Sequence, residues 1–409
     1  MPVSTPKVTT HGGIFILEWA REKLKMHISR IHEERGSLYG EFLASRLTSP
    51  EQPLSNTRIN MLSATGRNAL VRELTDRDET LEWLTIVQQA CAIVTTRYRE
   101  GEPVVPLKNL KPRNTPKYRL YPYILEGEIS CLFGFGGSAK SYMATLIGTL
   151  IHCGTAVLGF EPIQGNTLYL DWETSQQTVY ERANAIKQGM GIESLELPLY
   201  RRCTRELAQE TTEIQRMILE NGVKFLIVDS VGMASGMGEA WHECAIRLLR
   251  AVRSFSISTL LIDHKPKKGE TIFGSVYKIN EVRSAFEILA SQLPGDSFMD
   301  VLIKHAKVND APYTKPRSYH IRFDPKSEPA QWVKLEPQDM LKVAQFVESA
   351  PLRDRIQSLL RHGKMTIKDI AEELGKPEGQ VRARLNEGKG TLFIPIGLGE
   401  WGLLADEPD

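Results

Sequence analysis

Apolar and polar residues change their spacing along this chain in a way that divides it into blocks. In residues 1–102, Leu24, Met26 and Ile28, and then Leu38, Gly40 and Phe42, alternate with polar neighbours on either side of Glu34-Arg35-Gly36, which predicts a β-hairpin. Met61–Leu74 and Leu81–Arg99 follow as helices, the second with Leu84, Val87, Ala90, Cys91 and Val94 near helical period. This block reads as an N-terminal α+β domain without a catalytic constellation. Residues 103–122 form a proline-rich linker holding Lys108, Lys111, Arg113, Lys117 and Arg119 with no acid among them. It suits either a solvated strap or a DNA or subunit contact.

In residues 123–345 the pattern becomes short apolar runs alternating with amphipathic stretches. The runs are Ile129–Phe133, Thr167–Trp172, Leu199–Cys203, Phe225–Asp229 and Thr259–Asp263, with helices such as Thr178–Gln188 and Arg205–Glu220 between them. That alternation predicts an α/β domain, a mainly parallel sheet with helices on both faces. Met299–Lys304, Tyr319–Phe323 and Gln331–Lys334 read as antiparallel strands at one edge. In residues 350–409, Arg353–Arg361 is helical, Thr366 caps Ile367–Leu374, Gly375 stops it, and Pro377 opens a third helix to Leu385. Thr391–Ile394 and Trp401–Leu404 then read as strands, completing the outline of a winged helix.

Composition narrows the possibilities. With 409 residues the chain is long enough for several domains. A formal net charge of +1 means that no global field drives it onto nucleic acid or membrane, so any such contact comes from local basic patches. The 5 cysteines are odd in number and lack C-x-x-C spacing, which argues against a disulfide framework or zinc module and suits a reducing compartment. Trp241-His242-Glu243-Cys244 has a metal-like look but reads as the start of an amphipathic helix. No run approaches the ~20 apolar residues of a membrane span, and the first residues do not have the form of a signal peptide. A cytoplasmic protein with no membrane partner is expected.

The chemistry is concentrated in Gly134-Phe135-Gly136-Gly137-Ser138-Ala139-Lys140-Ser141, which follows an apolar run and leads into a helix beginning with Tyr142 and Met143. Strand, glycine-rich loop and helix in that order cradle phosphate, because loop N–H groups and the helix N-terminus converge on the anion. Gly134, Gly136, Gly137, Ser138, Ala139, Lys140, Ser141 and Tyr142 are the expected ATP-binding residues. Lys140 is expected to reach the β- and γ-phosphates and Ser141 to hold Mg²⁺. Ala139 stands where the pattern G-x-x-x-x-G-K-[ST] has glycine, and alanine is expected there in a helix-start conformation. Three further strand ends carry polar chemistry. Asp229 follows an apolar run and is expected to reach the Mg²⁺ shell. Glu173 is the candidate general base for water, with Asp171 as its competitor. His264 is a candidate sensor of the γ-phosphate.

The order Gly134–Ser141, Tyr169–Glu173, Leu226–Ser230, Leu261–His264 and then Gly274-Ser275 resembles the RecA-type ATPases, and among them the RepA-like hexameric helicases of plasmids and phages. The resemblance spans about Tyr121 to Phe323. It implies Glu173 as catalytic carboxylate, Asp229 as metal acid and His264 as sensor. It also implies a homo-oligomeric ring, usually of six subunits, with ATP at each interface and a basic residue donated by the neighbour. Where that family often has Lys-x-Arg, this chain has Ile303-Lys304-His305-Ala306-Lys307-Val308-Asn309, so Lys307 is the first choice for the trans-acting cation, ahead of Lys304 and Arg283. The missing arginine departs from the pattern, since lysine lacks the forked donor geometry.

Single-stranded DNA would run through the ring centre against the glycine-rich residues 231–238 and against Lys265, Lys267 and Lys268. Arg382 and Arg384 on the third helix of the last block are candidates for nucleic-acid contact, although winged helices also dock proteins. A protein partner could be recruited there or by the N-terminal domain. The chief expectation is an ATP-dependent DNA helicase or translocase. The alternatives are a regulatory DNA-binding ATPase of a mobile-element or defence system, and a non-hydrolysing module whose winged helix alone acts.

Overall fold

A computed structural model describes residues 2–101, 104–111, 118–236, 241–265, 281–309, 311–327 and 329–404. The first block is a five-stranded antiparallel meander. Its strands are β1 (Lys7–His11), β2 (Ile14–Trp19), β3 (Leu24–Glu34), β4 (Ser37–Arg46) and β5 (Ser49–Asn60), in the order of the sequence. The expected hairpin is β3–β4. Helices α1 (Ala64–Arg77) and α2 (Trp83–Glu100) cover one face of the sheet and share its core, in which Trp19, Leu24, Phe42, Leu70, Trp83 and Val87 are buried. The first helix starts later than its apolar pattern suggested, because the Ser63 hydroxyl accepts the Gly66 N–H and so fixes the N-cap there.

The central domain holds a nine-stranded sheet. A small three-stranded sheet beside it is made of β6 (Tyr118–Tyr121), β7 (Ile124–Leu125) and β9 (Glu161–Pro162). In the large sheet, β8 (Ile129–Gly134), β10 (Asn166–Asp171), β11 (Leu199–Arg202), β12 (Val223–Asp229), β13 (Ser258–His264) and β14 (Ser284–Ser291) are parallel. β15 (Phe298–Val308), β16 (Arg317–Phe323) and β17 (Val333–Gln338) extend it antiparallel. The spatial order is β11-β10-β12-β13-β8-β14-β15-β16-β17. Helices α3 (Lys140–Cys153) and α4 (Gln176–Met190) bury Met143, Ile147, Val179 and Ile186 on one face. Helices α5 (Thr211–Glu220) and α7 (Trp241–Ser254) bury Ile214, Ile218, Leu248 and Val252 on the other. The domain therefore has the RecA-like α/β architecture.

Two sequence expectations are corrected here, and one strand is added. The stretch Arg205–Glu220 is helical only from Thr211, after a 3₁₀ turn at Leu207–Gln209. β14, which no sequence pattern announced, lies between β8 and β15. The glycine-rich stretch after Asp229 begins as a short helix, α6 (Val231–Ala234), with Val231 and Ala234 buried, and residues 237–240 lie outside the described ones.

The N-terminal domain docks on the α5–α7 face. Arg30 pairs with both Glu41 and Glu213. A Cβ on Gly12, at φ +54°, would fall 2.3 Å from the Gln215 Oε1 and 2.8 Å from the Ser254 carbonyl oxygen. After β17, short 3₁₀ helices at Met340–Lys342 and Ala344–Ser349 lead to the last block. That block runs helix Leu352–Leu360, strand Met365–Thr366, helices Ile367–Leu374 and Glu378–Glu387, then strands Phe393–Gly397 and Glu400–Leu403. Ile356, Ile370, Val381, Leu385 and Phe393 form its core. Among the described residues no helix is long and apolar enough to cross a membrane.

Candidate nucleotide-binding site

β8 is buried along its whole length and ends at Gly134, one strand from β14. A Cβ at Gly134 would lie 2.5 Å from the Ile288 carbonyl oxygen and 2.7 Å from the Ser138 Oγ, so only glycine lets the loop leave the sheet against β14. Gly137, at φ +75°, and Ala139 then turn the chain into α3. Ala139 does not take the expected helix-start conformation. Its backbone is left-handed, at φ 61° and ψ 17°, which L-residues adopt at a cost of about 1–2 kcal/mol. The position keeps the geometry for which the motif uses glycine, and alanine occupies it under strain.

Lys140, the first residue of α3, is buried, and its Nζ donates to the carbonyls of Gly134 (3.2 Å) and Phe135 (2.7 Å). The lysine thus closes the loop on itself. Burial pushes its ammonium below the ordinary pKa, while Asp229, Glu173 and Asp263 pull it back up. These acids come from the C-terminal ends of β12 and β13 and from just beyond β10. Asp229 is buried and accepts hydrogen bonds from the Tyr169 hydroxyl and the Ser141 side chain. Burial raises its carboxyl above the usual range, and the charges of Glu173 and Asp171 add to the rise. The peptide between Asp229 and Ser230 is cis.

The competition between Asp171 and Glu173 has a clear geometric basis. The Asp171 Oδ1 accepts the N–H groups of Glu173 (2.8 Å) and Thr174 (2.9 Å), and its Oδ2 accepts the hydroxyls of Thr174 (2.7 Å) and Tyr200 (3.0 Å). Its oxygens are taken up in holding the turn. Glu173 is exposed, and its Oε1 accepts a hydrogen bond from the Ser230 hydroxyl and lies 3.5 Å from the His264 Nε2. His264 itself is level with Gly134 in the sheet. Lys140, Ser141, Asp229, Glu173 and His264 are therefore gathered at one edge.

Other candidate residues fall elsewhere. Tyr142 packs edge-on against Phe323 and lies beneath the Arg182 guanidinium. Lys307 stands level with Ala285 and Cys131, about 10 Å along the strands from Gly134, and its Nζ donates to the Val282 carbonyl (2.9 Å). Lys304 and Lys265 share one buried partner, Glu287, at 3.1 and 2.7 Å. Burial would raise the Glu287 carboxyl, but the two ammonium groups outweigh it and hold it below the ordinary value. Lys267, Lys268, Gly274 and Ser275 lie outside the described residues. Arg382 is exposed, and Arg384 pairs with Glu387 on the same helix.

Sequence reasoning missed Glu287 and Ser230. An acid inside the apolar run Ala285-Phe286-Glu287-Ile288-Leu289 was the available signal for the first. For the second it was the hydroxyl directly after the strand-end acid.

The residues present fit Mg²⁺. Ser141 and Asp229 offer a hydroxyl and a carboxylate already in hydrogen-bond contact, the oxygen donors that this ion prefers. The Ser138 Oγ is buried in the loop without a protein partner, as suits a group facing a ligand.

Fold and loop together define the class: the central domain has the RecA-like α/β fold and carries a glycine-rich loop of the phosphate-binding type between β8 and α3. A family model described as an AAA domain matches residues 97–270. Among solved structures, a KaiC-like protein from the hyperthermophilic archaeon Pyrococcus horikoshii OT3 is similar to this chain at 14% sequence identity. The match has a TM-score of 0.38 and covers 55% of this chain and 99% of that one. No curated protein matches the chain.

Proposed function

We propose that this protein hydrolyses ATP at the Gly134–Ser141 loop and uses the cycle to move on DNA as a ring-forming helicase or translocase. The observation that carries the hydrolytic part is the pairing of Glu173 with Ser230 and His264 at the same sheet edge as Lys140 and Asp229. In this reading the loop amides and Lys140 bind the β- and γ-phosphates, and Lys140 exchanges its two carbonyl partners for phosphate oxygens. Ser141 and Asp229 hold Mg²⁺, which when bound supplies charge to neutralise the phosphates. Glu173 takes a proton from the attacking water, and Ser230 fixes the carboxylate oxygen that does so. His264, touching Glu173 and ending the strand beside the loop, passes loss of the γ-phosphate to Lys265 and the residues beyond.

The ring and the DNA rest on the order of the four strand-end motifs and on Arg382 and Arg384, carried on a helix of a unit we read as a winged helix. Phosphate release measured with wild type and Glu173→Gln, beside strand separation on a forked duplex, tests the whole reading. ATP-dependent separation lost in Glu173→Gln is expected. Turnover without separation or translocation would sink the motor.

A second reading is favoured by Ala139 and by the lysines near the end of β15. It is a regulatory DNA-binding ATPase that assembles with nucleotide and presents a partner. Lys304 is held by Glu287 within its own chain, and neither Lys304 nor Lys307 offers the forked donors of an arginine. Nucleotide-dependent growth in mass on single-stranded DNA with slow turnover is its signature.

A further inference from the structure

One wall of the cleft beside the phosphate loop is not part of the ATPase sheet. The cleft, about 470 Å³, is lined by Phe135–Ser138 and by Ile288 and Met299, and it is closed by Gln345 and Phe346. The last two belong to the 3₁₀ helix Ala344–Ser349, which leads at Pro351 into the C-terminal block. Phe346 is fully buried with Leu302 and Val343, so this segment is packed on β15 and is not a loose tether.

A second, polar route joins the same two places. The Lys265 N–H donates to the Gly134 carbonyl (2.9 Å), and its Nζ lies 5.4 Å from the centre of the Phe135 ring. The Lys265 Nζ also holds Glu287, Glu287 holds Lys304, and the Lys304 Nζ donates to the Ser349 Oγ at 3.4 Å. Beyond it, a cleft of about 700 Å³ lies between Glu348 and Ala350 on one side and Lys376, Gln380 and Arg384 of the C-terminal block on the other.

We propose that Ala344–Ser349 is a nucleotide-responsive strap, by which occupancy of the loop sets the position of the C-terminal helical unit. The inference rests on the nucleotide reading of the loop. A ligand shifts a conformation only by contacting its states differently, and here two such contacts exist. The nucleotide would meet Gln345 directly, beside the buried anchor Phe346. Its phosphates would also draw Lys265 away from Glu287, leaving Glu287 to Lys304 and loosening the hold of Lys304 on Ser349. Lys304 and Ser349 act in this as positioning residues, remote from the reacting atoms.

Hydrogen exchange of the full chain, with Mg²⁺ and a non-hydrolysable ATP analogue, tests the strap. The loop amides 135–141 are expected to exchange more slowly with the analogue. Peptides covering 344–353 and 376–384 are expected to change by about fivefold or more, the lower range of ordinary allosteric coupling. In Lys304→Met and in Ser349→Ala, loop protection is expected to persist while the response at 376–384 falls away. Loop protection with no response at 376–384 in the wild type would overturn the strap and leave the nucleotide reading standing. An undiminished response at 376–384 in both variants, with the loop still protected, would overturn the route through Lys304 and Ser349. No protection anywhere in the wild type would overturn the nucleotide reading and the strap with it.

Discussion

Replacing Ala139 by glycine separates backbone strain from packing at the entrance to α3. Alanine at φ 61° is held in the left-handed region, and relief of that conformation is worth about 1–2 kcal/mol. Against this, glycine adds freedom to the unfolded chain, costing about 0.4–1 kcal/mol. The lost methyl, buried in the α3 core at 9% exposure, costs about 0.8 kcal/mol more. The terms nearly cancel, so Ala139→Gly is expected to leave the urea-unfolding free energy within about 1 kcal/mol of wild type. Ala139→Val makes the opposite comparison. A β-branched residue at positive φ is a true outlier, and a loss of about 2–3 kcal/mol is expected. Because Ala139 sets the turn from the loop into α3, Ala139→Val is also expected to weaken ATP binding, read by titration calorimetry, while Ala139→Gly leaves it near the wild-type value. A valine variant as stable as wild type would refute the left-handed assignment and the strain argument built on it.

Three other perturbations probe different parts of the molecule. For Asp229 the folded pKa lies above the unfolded one. Its contribution to stability is therefore fully present below the ordinary carboxylate pKa, about 3.9, and is lost as pH rises through the raised value. Asp229→Asn is thus expected to be more stable than wild type at neutral pH and to converge with it in acid, and urea midpoints across pH check the sign. Glu287→Gln leaves Lys265 and Lys304 side by side without their shared counter-charge. Both lysines keep some solvent, so a loss of about 2 kcal/mol is expected, and an unchanged denaturation curve would contradict it. Gly12→Val forces a side chain onto Gln215 and the Ser254 carbonyl at a positive φ. It is expected to release the N-terminal domain from α5 and α7, and limited proteolysis between the domains reads the release.

What was legible in the sequence is what neighbouring residues decide among themselves. The phosphate loop, its flanking strand and helix, and the acids at strand ends are contiguous, and hydrophobic period plus glycine placement suffices to read them. The same holds for the Thr366 cap, whose hydroxyl accepts the Asp369 N–H, and for the Gly375 stop at φ 59°. Tertiary structure decided the rest, because the determining partners are distant in the chain. Ser49–Asn60 is polar and holds two prolines, and it becomes a strand only because β4 pairs with it and α1 packs upon it. β14 takes its place through hydrogen bonds to β8 and β15, and it brings Glu287 between two lysines that the sequence alone offered to DNA or to a neighbouring subunit. Gly134 is glycine because Ile288, more than a hundred residues later, passes within a Cβ's reach. Whether a polar residue is free or committed depends on which groups face it across the sheet, and linear spacing carries no record of that.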